Sequence, residues 1–210
     1  MPEREHGVSP PLSWAVAWQA ISGESVSGDT YVVAPIPGGT LVAAMDGLGH
    51  GPDAAAASEA AAEVVREHAA EPVGELLHRC HRAVRRTRGV AMSLVSVRAE
   101  PPGIEWIGVG NVEARVLRGP ESSEERGPDE SILLRGGVVG YQVPDLRPSA
   151  IPVAPGDTLL MATDGVAPGF ADDADRAAPP TDLVVALLEG HGKGNDDRLV
   201  LAARFEGNAP

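Results

Sequence analysis

The sequence predicts an α+β fold in which one β-sheet packs on another and helices cover the outside. Apolar residues alternate with small or polar ones along many short segments, which is the period of half-buried strands. Consecutive early segments are joined by short turns rich in Gly, Pro and Ser, as in antiparallel sheets. Because only two helical patterns interrupt the strands and one more comes near the end, the order does not suit parallel βαβ units.

The individual elements follow from these periods. Strands are predicted at residues 14–20, 30–34, 40–45, 90–97, 104–109, 112–117, 132–135, 158–162 and 199–205. Helices are predicted at residues 52–68, 72–88 and 183–188. At the start of the first helix, Pro52 suits the first helical position and Asp53 suits the positive end of the helix dipole.

The length of 210 residues suits a single domain. We expect an N-terminal tail over residues 1–12 and one domain over residues 13–206. Within this domain, the polar and acidic segment 119–130 is expected to be a mobile loop. Residues 170–181, which are rich in Pro, Asp and Ala, are expected to form a short flap.

The charge and composition narrow the function classes. A formal net charge of −13 argues against nucleic-acid binding, which needs a basic surface, and against an anionic membrane surface. No apolar run reaches the length of a membrane span, and the N-terminus lacks a signal-peptide pattern. The single cysteine, Cys80, excludes an internal disulfide and is predicted to be packed in the core. We therefore expect a cytoplasmic protein, and a monomer.

The second predicted helix carries a row of arginines on one face. They are Arg79, Arg82, Arg85, Arg86 and Arg88. Two interpretations stay open, a solvated surface and a docking face for an acidic partner.

Four aspartates stand at the ends of predicted strands, namely Asp29, Asp46, Asp164 and Asp196. If those strands are neighbours in a layered pair of sheets, the carboxylates meet at one edge and repel one another unless cations lie between them. Magnesium and manganese are hard ions that take such oxygen ligands. Where two ions lie about 3.5–4 Å apart, a carboxylate can bridge them and the bridging water becomes a nucleophile.

The order of several short fragments carries a family resemblance. The fragments are Gly28-Asp29, DGLGHG at residues 46–51, GVVG at residues 137–140, PGD at residues 155–157, TDGV at residues 163–166, and Asp196-Asp197. In this order the chain resembles the metal-dependent serine/threonine protein phosphatases of the PPM type, in their bacterial sporulation and stress-response branch. The resemblance covers residues 13–205, and the short length is similar to that of the feedback phosphatases of the stressosome.

The resemblance implies a four-layer αββα sandwich of two antiparallel β-sheets flanked by helices. It also implies two divalent metal ions, Mn or Mg, at one end of the sandwich. Asp46 would bridge both ions, Asp29 and the carbonyl of Gly47 would bind one, and Asp164 and Asp196 would bind the other. A metal-bridging water would then attack the phosphorus atom.

The loop after Asp46 is expected to support this site through Gly49, His50 and Gly51. For His50 two roles stay open, a structural role at the junction of loop and helix and donation of a proton. Animal members of the family have a histidine at the position of Leu48 instead. The sequence points to no residue for binding the phosphate.

The resulting hypothesis is a protein serine/threonine phosphatase. Its expected substrates are phosphorylated STAS-domain proteins of a bacterial stressosome, whose dephosphorylation would act as negative feedback. Asp164 and Asp196 are only 32 positions apart, so the flap is small and the open site suits a folded protein substrate. The alternative is a catalytically inactive phosphatase-like binding module, against which the presence of all four aspartates counts. A phosphate-binding loop of the Walker type is excluded, because no lysine follows the glycines of GLGHG.

Overall fold

The computed structural model describes residues 2–119 and 127–207, and within these ranges the chain forms eleven β-strands, three α-helices and one short 3-10 helix. The strands are β1 Glu3–Ser9, β2 Leu12–Gln19, β3 Asp29–Ile36, β4 Gly39–Gly47, β5 Val90–Arg98, β6 Gly103–Val109, β7 Glu113–Leu117, β8 Glu130–Ser131, β9 Ser149–Pro152, β10 Thr158–Ala162 and β11 Arg198–Phe205. The helices are α1 Pro52–Glu67, α2 Val73–Ala83 and α3 Pro180–His191, and the 3-10 helix is Phe170–Asp173.

The strands form two antiparallel sheets that pack face to face. One sheet has the order β1-β2-β11-β10-β7-β8, and the other has the order β3-β4-β5-β6-β9. A core of alternate residues from both sheets fills the space between them. Helices α1 and α2 pack on the outer face of the five-stranded sheet, and α3 packs on the outer face of the six-stranded sheet. The predicted αββα sandwich is therefore confirmed.

The helices pack through small or branched apolar residues, because the chain has few aromatics. α1 presents Ala57, Ala61 and Val65 to the five-stranded sheet, at the helical spacing of one face. On α2, the fully buried Cys80 belongs to the same cluster, so its predicted packing role is confirmed, and burial raises the pKa of its thiol to about 12. Among the described residues, no helix combines the length and the apolar character that crossing a bilayer requires.

The expected N-terminal tail over residues 1–12 is wrong. Residues 3–9 form β1, which pairs with β2 along its whole length from Glu3 opposite Trp18 to Ser9 opposite Leu12. Five of the seven β1 side chains are exposed, because the strand lies at the edge of its sheet. An edge strand with exposed side chains lacks the apolar alternation by which strands are recognised.

Two further expectations need correction. The strand predicted at residues 132–135 is absent, since the β8 ladder ends at Ser131 and the chain then passes to the other sheet, where Arg135 bridges Val109. The helix predicted over residues 72–88 ends at Ala83. After this end, residues 84–87 form a turn in which the N–H and the hydroxyl of Thr87 both donate to the carbonyl of Val84, an alternative to helical bonding.

The two predicted loops lie partly inside the described residues. For the acidic loop over residues 119–130, residues 120–126 lie outside them, and the last residue, Glu130, pairs with Val116 in the β7–β8 ladder. In the flap over residues 170–181, the 3-10 helix buries Phe170 and Ala171 against α3, and α3 begins at Pro180.

Candidate metal centre

Asp29 and Asp46 are direct neighbours in the β3–β4 ladder. The N–H of Gly47 donates to the carbonyl of Gly28 at 3.1 Å, so the next pair, Asp29 and Asp46, is a non-hydrogen-bonded pair whose Cα atoms lie about 4.5 Å apart. Val42 on β4 belongs to the core between the sheets, and Asp46, an even number of residues later, faces the same way. Both carboxylates therefore point from one sheet toward the other.

Thr163 connects this pair to the six-stranded sheet. It follows β10 directly, is buried, and donates its hydroxyl hydrogen to Asp29 Oδ2 at 2.7 Å. The same hydroxyl oxygen accepts the N–H of Leu199 on β11 at 2.9 Å. A single side chain thus joins the ends of β3, β10 and β11.

Asp164 lies next to Thr163 at the mouth of the sandwich. Asn111, in the β6–β7 turn, donates its side-chain amide to Asp164 Oδ2 at 2.6 Å. Lys193 donates from Nζ to the Asp164 carbonyl at 2.5 Å, and its backbone N–H donates to the carbonyl of Gly165 at 2.9 Å. Asn111, Asp164 and Lys193 also line a cavity of about 340 Å³ beside the flap. Contacts from two loops therefore hold the Asp164 segment in place.

The two adjacent aspartates before β11 have different environments. Asp197 is buried and accepts the backbone N–H of Ile21 at 2.8 Å and that of Gly28 at 2.6 Å, one on each oxygen. It thereby holds both ends of the loop that leads into Asp29. Asp196 is half-buried, and its Oδ1 accepts the N–H of Asp197 at 2.9 Å. Asp196 is thus the more exposed carboxylate of the pair and accepts one backbone N–H where Asp197 accepts two.

The carboxylates of this edge repel one another. Burial, followed by the charge of Asp46, raises the pKa of Asp29 well above its usual range, and the hydrogen bond from Thr163 opposes this shift. Burial and the charges of Asp164 and Asp196 raise the pKa of Asp46 to about 7. Burial, with a smaller contribution from Asp164, raises the pKa of Asp196. The charged form of every one of these three groups is therefore disfavoured in the protein alone.

This donor set fits hard divalent cations. Carboxylate oxygens are the ligands that magnesium and manganese prefer, and a cation between them would favour their charged forms. Within residues 2–119 and 127–207, no three His, Cys, Asp or Glu side chains already have the arrangement of a metal site. The predicted ligands Asp29, Asp46, Gly47, Asp164 and Asp196 meet at one edge of the sandwich, and their assignment as ligands stays a prediction.

The glycines that follow Asp46 and Asp164 permit close contacts between backbone segments. A Cβ atom on Gly47 would lie 2.1 Å from the carbonyl oxygen of Ala54 in α1, and one on Gly165 would lie 1.9 Å from the carbonyl oxygen of Asp197. Either contact is far below van der Waals distance. Packing therefore requires glycine at positions 47 and 165, whether or not the Gly47 carbonyl binds a metal.

The loop at residues 48–51 leads from the site into α1. Gly49 and Gly51 have φ values of 87° and 74°, in the left-handed region that favours glycine, and Gly51 caps α1. His50 is exposed, and its Nδ1 lies 2.8 Å from Glu24 Oε1 in the β2–β3 loop. His50 thus ties two loops of the site together, and its role stays a prediction. Its positive form also favours the charged form of Asp196, so it lies within electrostatic reach of the carboxylates.

The three aspartates of the flap have partners other than the four aspartates of the site. Asp172 pairs with Arg115, and Asp173 pairs with His191. Asp175 accepts the N–H of Ala177, two residues later, in a local turn.

The sequence reasoning missed three positioning residues, namely Asn111, Thr163 and Asp197. Thr163 and Asp197 stand beside predicted ligands in the quoted fragments, and their alternation with the buried residues of β10 and β11 was a usable signal. For Asn111 the sequence contains no comparable signal, because its contact with Asp164 joins residues 53 positions apart.

Several known proteins are similar to this chain. The profile of the Stage II sporulation protein E (SpoIIE) family matches residues 36–206. The chain is 31% identical over 90 residues to the phosphoserine phosphatase RsbX of Bacillus subtilis (strain 168), and this alignment covers 43% of the chain and 45% of RsbX, about half the length of that relative.

Two solved structures have the same fold. One, described as "The bacterial stressosome: a modular system that has been adapted to control secondary messenger signaling", is 28% identical with a TM-score of 0.82, over 92% of this chain and 99% of the other. The second, RsbX in complex with magnesium, is 20% identical with a TM-score of 0.82, over 98% of this chain and 100% of the other. Because the family profile spans most of the sequence, the chain belongs to the SpoIIE family.

Proposed function

We propose that this chain is a metal-dependent protein phosphatase that hydrolyses phosphoserine or phosphothreonine. The observation that carries the proposal is the meeting of Asp29 and Asp46 from one sheet with Asp164 and Asp196 from the other. Membership of the SpoIIE family and similarity to a phosphoserine phosphatase support the reaction class.

The aspartates would hold two divalent ions, manganese or magnesium, with Asp46 between them. When bound, these ions would neutralise charge on the phosphoryl oxygens and activate water as the nucleophile. Thr163 holds one oxygen of Asp29, which leaves the other oxygen free to turn toward a ligand. Asn111 orients Asp164 in the same way, and Asp197 fixes the backbone of Gly28 so that Asp29 starts its strand at the site.

The proposed substrates are phosphorylated STAS-domain proteins of a bacterial stressosome, with dephosphorylation acting as negative feedback in the cytoplasm. Two similarities support this substrate class, the one to RsbX and the one to the stressosome structure. The small flap is consistent with a protein substrate, because its first residues form the 3-10 helix packed against α3 and its last residues already belong to α3.

The decisive experiment measures phosphate release from a phosphoserine STAS-domain protein with manganese, for the wild type and for Asp46→Asn. Circular dichroism checks that both proteins are folded to the same extent. Activity that needs both manganese and Asp46 is the expected result. Absence of activity in the wild type, with metal bound and the fold intact, would favour the inactive binding module instead.

A further inference from the structure

Three chain segments meet beside the metal centre and form one exposed surface. Leu48, two residues after Asp46, donates its N–H to the carbonyl of Gly89 at 3.0 Å. The ring of Tyr141 lies against the same glycine, where a Cβ atom would be 3.0 Å from the ring, and the Tyr141 hydroxyl lies 3.4 Å from the carbonyl of Thr87. We call this region the Arg88 surface, and its members are Leu48, Arg85, Arg86, Arg88 and Tyr141.

Arg88 connects this surface to the loop of the site. A Cβ atom on Gly49 would lie 2.9 Å from Arg88 Nη1, so the guanidinium group rests on the loop three residues after Asp46. Its other nitrogen, Nη2, donates to Asp53 Oδ2 at 2.8 Å. The side chains are 48% and 74% exposed, and ion pairs as exposed as this one contribute little. Arg88 can therefore leave Asp53 and pair with an acidic group of a partner, with only a small loss of free energy.

The arginines next to Arg88 make the surface locally positive. Arg82, Arg85 and Arg86 are exposed, and in the described part of the chain none of them takes part in an ion pair. Their charge reaches His81, whose pKa is lowered first by burial and then by Arg85, His78 and Arg82. On a chain with a net charge of −13, this concentration of unpaired arginines is a local exception. It favours a partner that is negatively charged.

The surface also exposes apolar groups, which a purely solvated surface does not require. Tyr141 is 67% exposed and Leu48 is 36% exposed, and both flank Gly89. Tyrosine and arginine are the residue types enriched among the energetically dominant residues of protein interfaces. The combination therefore fits a protein partner better than a small phosphate ester.

We propose that the Arg88 surface docks the phosphoprotein substrate. Arg85, Arg86 and Arg88 pair with acidic residues that flank the phosphorylated side chain, while Leu48 and Tyr141 pack against its apolar residues. This inference rests on the proposed phosphatase activity and names the substrate class as acidic phosphoproteins. It also assigns a role to the arginine face of the predicted second helix.

The test compares two classes of substrate in a matched set of variants. Arg85→Glu/Arg86→Glu and Tyr141→Ala alter the Arg88 surface, and Arg4→Glu on β1 of the other sheet is the control for a charge reversal elsewhere on the protein. The substrates are para-nitrophenyl phosphate and two phosphoserine peptides, one flanked by glutamates and one flanked by lysines. Each is assayed with manganese.

For the glutamate-flanked peptide we expect the arginine double variant to lose about tenfold or more in kcat/KM, chiefly through KM. Tyr141→Ala should lower kcat/KM for the same peptide by about threefold or more, as is typical when an aromatic residue is removed from a protein interface. Hydrolysis of para-nitrophenyl phosphate stays within about twofold of the wild type, because that ester has no flanking residues to dock. High salt should raise KM for the glutamate-flanked peptide in the wild type more than in the double variant.

Several outcomes would overturn the inference. The first is an equal loss of kcat/KM for the peptide and for para-nitrophenyl phosphate in the double variant. The second is a loss in Arg4→Glu as large as in the double variant. The third is a wild type with equal kcat/KM for the glutamate-flanked and the lysine-flanked peptide. Competition by a single-stranded oligonucleotide at physiological salt, or a dimer that dissociates in the double variant, would assign the surface to nucleic acid or to a second copy of the chain. If the wild type hydrolyses none of the three substrates, the proposed phosphatase activity fails instead.

Discussion

Asp29 and Asp46 lie directly opposite each other in the β3–β4 ladder, with both side chains facing into the space between the two sheets. Like charges in such a pair are destabilising, and here burial adds to the cost. The edge of the sandwich is therefore less stable than its packing alone would make it. Predictions about metal and stability follow from this relationship.

Neutralising Asp29 should stabilise the metal-free protein. Asn at position 29 keeps an oxygen to accept the hydrogen bond from Thr163 and removes the charge next to Asp46. In the presence of EDTA we expect Asp29→Asn to raise the free energy of unfolding by about 1 kcal/mol. Manganese should raise the Tm of the wild type and leave that of the variant nearly unchanged. Thermal unfolding with and without metal measures both effects, with the exposed Asp145→Asn as control; a lower Tm of Asp29→Asn in EDTA would contradict the prediction.

Thr163 should act through its hydroxyl group. Thr163→Val removes the donor to Asp29 and the acceptor for the N–H of Leu199, so we expect a loss of about 1–3 kcal/mol of stability. Metal affinity should fall as well, because Asp29 loses the contact that orients it. Thr163→Ser keeps the hydroxyl and should restore most of both properties. Urea unfolding and manganese titration measure them, and equal behaviour of the Val and Ser variants would argue against a role of the hydroxyl.

The adjacent residues Asp196 and Asp197 should separate function from stability. Asp197 accepts two backbone N–H groups. In Asp197→Asn one of these groups faces the amide nitrogen, so we expect the free energy of unfolding to fall by about 1–3 kcal/mol. Asp196→Asn should abolish metal-dependent hydrolysis while changing stability by less than about 0.5 kcal/mol in EDTA. Urea unfolding and phosphate release on the same pair of variants test this. The assignment of Asp196 to the metal and of Asp197 to the fold is wrong if Asp196→Asn lowers stability and Asp197→Asn abolishes hydrolysis at unchanged stability.

The PGD fragment should be structural and distant from the chemistry. Asp157 stands just before β10, at the opposite end of that strand from Asp164, where it pairs with the buried Arg118 at 3.1 Å and accepts the N–H of Ala154. Removing one partner of a buried ion pair typically costs about 3–5 kcal/mol, so Asp157→Ala should be strongly destabilised. The fraction that remains folded at low temperature should keep the wild-type kcat. Denaturant titration and activity per folded molecule decide between this role and a role in catalysis.

His81 should make stability depend on pH. Its Nδ1 accepts the N–H of Gly140 at 3.0 Å, which requires the neutral ring, and burial followed by neighbouring charges lowers its pKa in the folded protein. The unfolded chain therefore binds the proton first as pH falls. The stabilisation by His81 is fully present above the unfolded pKa of about 6.5 and is lost below it. Between pH 7.5 and pH 5.5 the free energy of unfolding should decline less for His81→Gln than for the wild type. The side-chain oxygen of glutamine can accept the same hydrogen bond and does not titrate.

The order of the strands and helices could be predicted from the sequence, because period-two alternation and helical spacing record which faces are buried. Strands β1 and β9 could not, since edge strands bury little and lose that alternation. The segment 132–135 was misassigned for the opposite reason, because it has the alternation without forming a strand. Ile132 and Leu134 alternate as in a strand, but they pack into the core from a chain that passes between the sheets.

For the site, the sequence by itself determined the fold class, the four aspartates at strand ends and the glycines that follow two of them. Only the tertiary structure decided that Asp29 and Asp46 face each other, that Thr163 joins three strand ends, and that Asp197 accepts two backbone N–H groups while Asp196 accepts one. The physical reason is that local patterns record which way a side chain points, whereas contacts between different strands depend on register and on how the two sheets pack.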